Sequence, residues 1–285
     1  MAKPVDRAIA EALGRPVQHI GPLSGGCVGE VYRVVLSDGE EVVAKVDFGP
    51  DPRLGIEGYM LDYLAARSRL PVPKVLHNSP SLLVMEFLSG VSGFDAQAEE
   101  HAAELLADLH SITSYRFGFE RDTLIGGLHQ PNPWTEKWAP FFAEHRLIAM
   151  GKQAVDARRM NTNTLARIEK LCGKLDSLIE EPDRPSLIHG DVWSANVLAE
   201  RGRITGFIDP AIYFAHPEIE LAFITLFNTF GNAFFRRYNE LRPIRPGFFE
   251  LRRDLYNLYP LLVHLRLFGG GYLSNVESTL KRHGC

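Results

Sequence analysis

From His19 to Asp47 the chain alternates apolar and polar positions at the period of two that a half-buried strand requires, and it is rich in valine. Glu30–Leu36 and Glu41–Asp47 flank Ser37-Asp38-Gly39-Glu40, and an Asp-Gly pair between β-branched runs predicts a hairpin. His19–Leu23 supplies a preceding strand, joined through Ser24-Gly25-Gly26-Cys27-Val28-Gly29. Before it, Val5 to Leu13 reads as a short helix stopped by Gly14, with Pro16 just beyond. After the hairpin the period turns helical over about Arg53 to Arg67, where Met60, Leu61 and Leu64 share a face, until Pro71 and Pro73 end it. Lys74–His77 and Leu82–Phe87 then form two more strands around the Asn78-Ser79-Pro80 turn.

Beyond Gly90–Gly93 the pattern is mostly helical. Asp95 is placed to cap Ala96–Ser111, whose Leu105, Leu106 and Leu109 face inward. Tyr115 to Pro133 shows no period. The next segment bears Trp134, Trp138, Phe141 and Phe142, an aromatic stripe that predicts a core helix, and Thr162–Glu181 reads as another amphipathic helix. Ser186–Ile208 returns to strand-like character, and helices run from Pro217 onward, punctuated by Pro243, Pro246 and Pro260. The fold class predicted is α+β. An N-terminal lobe, residues 1–88, has five antiparallel strands and one inserted helix; a mainly helical lobe, residues 89–285, holds a small β island.

The length of 285 residues agrees with about two domains or lobes. Apolar residues at 45% against 23% charged allow a sizeable core, and a net charge of −4 excludes a general affinity for nucleic acid or anionic membranes. Even the most apolar stretch, Ile204 to Phe235, is cut by Asp209, Pro210, His216 and Glu218, so no membrane span is predicted. Met1–Asp6 lacks the apolar core of a signal peptide. The three cysteines, at 27, 172 and 285, make neither metal-ligand spacing nor a disulfide framework. A soluble, monomeric, cytoplasmic protein is the expectation.

The chemistry concentrates in the β island. In His189-Gly190-Asp191-Val192-Trp193-Ser194-Ala195-Asn196 an aspartate precedes an asparagine by five residues, and Asp209 ends the apolar strand Gly206-Phe207-Ile208. Alone, the first segment is a polar turn and Asp209 a helix cap. Together they have the spacing of kinase phosphoryl transfer from ATP: Asp191 meets the attacking hydroxyl, while Asn196 and Asp209 hold Mg²⁺ on the phosphates. Lys45, in the alternating strand Val42–Val46, needs a partner among its valines, and Glu57 on the predicted helix supplies one; a lysine so oriented grips phosphate. Gly25, Gly26 and Gly29 could cover the nucleotide with backbone N–H groups, but the loop lacks the Gly-Lys-Ser/Thr of a P-loop. Residues 85–88 read as the inter-lobe hinge, with adenine paired to the backbone of Glu86 and Leu88. Cys27, in the glycine loop, is a candidate redox-sensitive thiol able to link two chains on oxidation.

These residues resemble the fructosamine kinase (ketosamine-3-kinase) family, within the aminoglycoside phosphotransferase-like branch of the protein-kinase fold. The likeness is carried by His189–Asn196, by Ile208-Asp209-Pro210-Ala211-Ile212-Tyr213 and by Glu218-Ile219-Glu220-Leu221-Ala222. Further matches are Ser24–Cys27, Ile125-Gly126, Gln130–Asn132, Arg146-Leu147 and Phe268–Tyr272, so it spans nearly the whole chain. The resemblance implies a two-lobed protein-kinase-like fold and ATP-dependent phosphorylation of the 3-hydroxyl of a ketosamine, free or on a glycated protein. The 3-phosphate then eliminates and frees the amine.

Substrate contacts are expected from Trp193, which could stack on the sugar or on the amine-bearing arm, and from Tyr213, His216 and Glu218, the last attracting a secondary ammonium. Glu220 suits a helix start and reads as structural, as do His110 and His264 in their apolar settings. The segment after Asp209 runs directly into helix and leaves no room for a long activation loop, and Pro210 stands where protein kinases have phenylalanine. Two alternatives remain: a kinase of the same fold acting on an aminoglycoside, choline or another sugar, and a silent scaffold. Retention of Lys45, Glu57, Asp191, Asn196 and Asp209 together argues against the scaffold.

Overall fold

A computed structural model describes residues 4–23 and 29–285. Gly25, Gly26 and Cys27 lie outside the described residues, and with them the nucleotide-covering and redox expectations.

Helix α1 (Pro4–Leu13) leads into strands β1 (Val17–Pro22), β2 (Glu30–Leu36) and β3 (Glu41–Val46). Helix α2 (Leu54–Arg67) and strands β4 (Val75–Asn78) and β5 (Leu82–Glu86) complete the lobe. The strands form one antiparallel sheet in the order β1-β2-β3-β5-β4. Alternation puts Val34, Leu36, Val42 and Ala44 on one face against Ile9 of α1. Leu83 and Met85 meet Leu54 and Leu61 of α2 in a second cluster. The other side of α2 carries Met60 and Leu64 into the core of the helical lobe, so this helix packs on both lobes.

In the second lobe α3 (Ala96–Leu109) is capped as expected, Ala98 N donating to Asp95 Oδ1 at 2.8 Å. The stretch without period contains a small hairpin, β6 (Thr123–Ile125) with β7 (Leu128–Gln130), each strand too short to show alternation. The aromatic helix α4 (Trp138–Phe142) starts later than predicted, leaving Trp134 outside it and 37% exposed. A π-helical turn over Ala143–Ile148 connects it to α5 (Ala149–Asp156). The helix predicted to reach Glu181 breaks at Gly173 into α6 (Thr162–Cys172) and α7 (Leu175–Leu178).

The island comprises β8 (Ser186–Ile188), the hairpin β9 (Val197–Glu200) with β10 (Arg203–Phe207), and β11 (Tyr213–Ala215), which returns to pair antiparallel with β8. Helices α8 (Glu218–Leu226), α9 (Asn232–Leu241), α10 (Arg253–Tyr256), α11 (Leu258–Phe268) and α12 (Tyr272–Arg282) complete the chain, α9 packing along α3.

The β8–β11 pairing corrects one expectation. It turns the segment after Asp209 back into the helical core, so Tyr213, His216 and Glu218 are buried rather than facing substrate. Tyr213 stacks on Phe141 and lies under the Arg146 guanidinium, 3.8 Å from its ring centre. His216 packs against Trp138 and Tyr256. The Glu218 carboxylate accepts from Arg252 Nε and Nη2, both at 2.7 Å, which neutralises the charge assigned to an ammonium. Removing one partner of such a buried pair strands the other: Glu218→Ala should cost about 3–5 kcal/mol, read as a lowered Tm in a thermal melt.

Burial, followed by the nearby Arg252 and Arg245 cations, pushes the His216 imidazole down to about 3 from 6.5. Between those values the unfolded chain takes up a proton that the folded one refuses, so acidification through this window lowers stability. Melting curves from pH 7 to pH 4 should show Tm falling, and falling less in His216→Phe than in the wild type.

Candidate active site

Lys45 is in β3, flanked by β2 and β5 through its pairings with Val31 and Leu83, and is 6% exposed. Its Nζ lies 2.7 Å from Glu57 Oε1, in the first turn of α2, and 2.5 Å from Asp209 Oδ1 of the other lobe. Burial alone would pull the lysine pKa down, but Asp209 and Glu57 outweigh it and hold the ammonium charged. Burial raises the Glu57 carboxyl in turn, against the opposing pull of Lys45.

The loop after β8 is shaped by Gly190. Its φ is +86°, and a Cβ there would come within 2.2 Å of the Ala211 carbonyl oxygen, so both the left-handed backbone and the close approach require glycine. The loop hangs from Glu220, buried in the first turn of α8. Gly190 N donates to Glu220 Oε1 at 2.6 Å, and His189 N to Oε2 at 3.3 Å. His110 of α3 stands behind it, Nε2 2.8 Å from Glu220 Oε2 and Nδ1 2.7 Å from the Tyr238 hydroxyl of α9. Burial would raise the Glu220 pKa, yet these contacts, led by the His110 hydrogen bond, hold it below the usual value. Sequence reading took Glu220 for a helix-start carboxylate; its position in the motif shared by Glu218–Ala222 was the available signal, but its partners lie 30 and 110 residues away.

Asp191 is half-buried. Asn196 Nδ2 donates to its Oδ2 at 2.8 Å and to its carbonyl oxygen at 3.1 Å. Burial, then the charge of Asp209, pushes the Asp191 carboxyl up to about 8, against the Asn196 bond. The donor set fits a hard divalent cation. Asn196 turns its amide nitrogen to Asp191, which leaves Oδ1, and Asp209 gives Oδ1 to Lys45, which leaves Oδ2. Few protein oxygens are what Mg²⁺ uses, since it keeps several waters. Among the described residues no group of three or more His, Cys, Asp or Glu side chains is arranged for a metal. Asp209 holds φ at +55°, a strained conformation for a residue with a side chain and one that concentrates at functional sites.

At the end of β5 Glu86 is exposed, its N–H bonded to Lys74 O at 2.9 Å. Leu88 N–H has no partner among the described residues, and the Leu88 side chain lies directly over Gly206 of β10. Gly29 crosses the end of β3 at φ +68°, so close that a Cβ would stand 2.3 Å from Val46 O. Trp193 is half-buried, its ring 5.7 Å from Phe227 and 6.1 Å from His264. The structure thus brings together Lys45, Glu57, Asp209, Asp191 and Asn196.

This architecture is that of the protein-kinase-like phosphotransferases, and the comparisons narrow it. The profile of the fructosamine kinase family matches residues 1–283. A Synechocystis protein named "probable ketoamine kinase" is 34% identical, the match covering 98% of this chain and 95% of its own. The chloroplastic protein-ribulosamine 3-kinase of Arabidopsis thaliana is 31% identical over 95% of this chain and 84% of its own. A solved Thermobifida fusca structure assigned to the fructosamine-3-kinases superposes with a TM-score of 0.87 at 31% identity, covering 99% and 98% of the two chains. An aminoglycoside phosphotransferase in complex with ADP and hygromycin B gives 0.68 at 21% identity over 98% and 96%, a likeness of fold. The chain belongs to the fructosamine kinase family.

Because Glu220 holds the loop and not the substrate, Glu220→Gln should lower kcat by on the order of 10²-fold, the loss that follows a misplacement of about 1 Å. The KM for ATP should move little; steady-state kinetics at saturating acceptor checks both.

Proposed function

We propose that the protein transfers the γ-phosphoryl group of ATP to the 3-hydroxyl of a ketosamine, with Asp191 orienting that hydroxyl and receiving its proton. The observation that carries this reading is the Asp191–Asn196 hydrogen bond in a loop facing the Lys45–Asp209 ion pair, within a chain that matches the fructosamine kinase family over its length. A loose transition state asks mainly for positioning, which suits a carboxylate held by its own loop. Lys45, aimed by Glu57, meets the α/β-phosphates; Gly25, Gly26 and Gly29 cover them; and adenine pairs with the Glu86 carbonyl and the unpartnered Leu88 N–H. Asn196 and Asp209 would hold Mg²⁺, which neutralises phosphate charge when bound. Elimination of the 3-phosphate then frees the amine, so the net outcome is deglycation. The low count of three cysteines supports a cytoplasmic setting. The aminoglycoside alternative has only a likeness of fold behind it.

Mixing the protein with Mg²⁺·ATP and a panel of fructosyl-, ribulosyl- and erythrulosyl-amines, aminoglycosides and choline should release ADP with ketosamines alone. Phosphorus NMR should show a labile sugar phosphate, and EDTA should stop turnover. Asp191→Asn should reduce kcat by at least about 10²-fold. Turnover on an aminoglycoside or choline alone would overturn the substrate.

A further inference from the structure

Beside Trp193, two residues beyond Asp191, a set of rings converges that phosphoryl transfer does not require. At its centre is His264 of α11. Its ring centroid lies 4.8 Å from Phe227, 5.3 Å from Tyr272, 5.6 Å from Phe268, 6.1 Å from Trp193 and 6.2 Å from Phe223. The set grades outward: Phe223 is buried, Trp193, Phe227 and Tyr272 are half-buried, and Phe268 is 54% exposed. A cluster serving only the core would close over its last ring, since an exposed phenylalanine forgoes the burial that its neighbours achieve. Phe268 instead ends α11 at the surface, where Gly269 turns the chain at φ +68°. An aromatic surface therefore leads from the catalytic loop to solvent.

The one polar ring in the set has a fixed tautomer. His264 Nδ1 is 2.8 Å from Pro260 O, and a carbonyl only accepts, so Nδ1 carries the proton and Nε2 is an acceptor. Nε2 has no partner among the described residues. Burial also lowers the imidazole pKa, which keeps the ring neutral. A bare acceptor among aromatic faces is suited to an ammonium N–H, which gains both a charge-assisted hydrogen bond and cation–π attraction. Sequence reading had His264 as a structural residue, which accounts for Nδ1 only.

We infer that this shelf receives the amine-bearing arm of the ketosamine: His264 Nε2 accepts from the secondary ammonium, Trp193 and Phe227 cover the first methylenes, and Phe268 carries the arm out to solvent. The inference rests on the ketosamine reading above. Because the shelf is apolar and open at its far end, it favours ketosamines whose amine bears a long, flexible aliphatic chain over those on compact amines.

The test uses one sugar on amines of increasing length, N-methyl, N-butyl and N-hexyl. In the wild type kcat/KM should rise by about twofold per methylene, less than full burial would give because the shelf is half open. Phe268→Ala, a surface change that leaves the core intact, should flatten the slope, whereas Leu241→Ala, an exposed leucine on α9, should keep it. A second measurement compares the N-hexyl ketosamine with its ether analogue, oxygen replacing NH. His264→Phe keeps the ring and removes the acceptor, and should raise the amine-to-ether ratio of KM values about tenfold. Ketosamine turnover with a flat slope in the wild type, or an unchanged ratio in His264→Phe, would overturn the shelf while leaving the kinase reading intact. No turnover of any ketosamine would overturn both.

Discussion

Lys45 stands between two carboxylates that come from different lobes, Glu57 beside it in the N-terminal lobe and Asp209 from 164 residues further on. An ammonium buried in a sheet is costly without compensation, and breaking either pairing would leave a charge out of water. The ion pair therefore sets where the lobes meet, and with it where a phosphate gripped by Lys45 would stand relative to Asp191. The arrangement holds one cation against two anions, with Asp191 close enough to feel Asp209. Such a surplus of negative charge, with free oxygens on Asn196 and Asp209, is the electrostatic setting in which a divalent cation binds.

The catalytic loop answers to a second, separate constraint. Its backbone is suspended from Glu220, and Glu220 is held through His110 to Tyr238, so three helices of the second lobe converge on two peptide N–H groups. Gly190 lets the loop pass within contact of Ala211. Division of labour follows: the first lobe places the nucleotide's partners, while the second places the group that meets the acceptor.

What was legible in the sequence was whatever is encoded locally. Valine alternation, the Asp-Gly turn and the Asp95 cap revealed the sheet and the start of the helical lobe, because period and turn chemistry act over a few residues. The five polar residues were legible because their types and spacings are jointly rare. The hairpin Thr123–Gln130 was not, since three-residue strands carry no period. Nor was the burial of Tyr213, His216 and Glu218. Their nearness to Asp209 in sequence suggested a shared cleft, but the β8–β11 pairing and the Arg252 partner, 34 residues from Glu218, are long-range facts. Trp134 missed the helix by one turn for a similar reason: the aromatic stripe shows which residues are apolar, not where the backbone begins to coil.

Helix α2 has its apolar residues divided between two cores, Leu54 and Leu61 against the sheet, Met60 and Leu64 within the other lobe, and its Tyr59 hydroxyl donates to Glu120 of the connector. Swinging it outward, the device by which many kinases are silenced, would expose Met60 and Leu64 at a cost of about 3–6 kcal/mol. With no long loop after Asp209 to offset that cost, the Lys45–Glu57 contact is a permanent fixture. An enzyme riveted in its working form has no resting state to be roused from; its output is governed by how much damaged amine the cell presents to it.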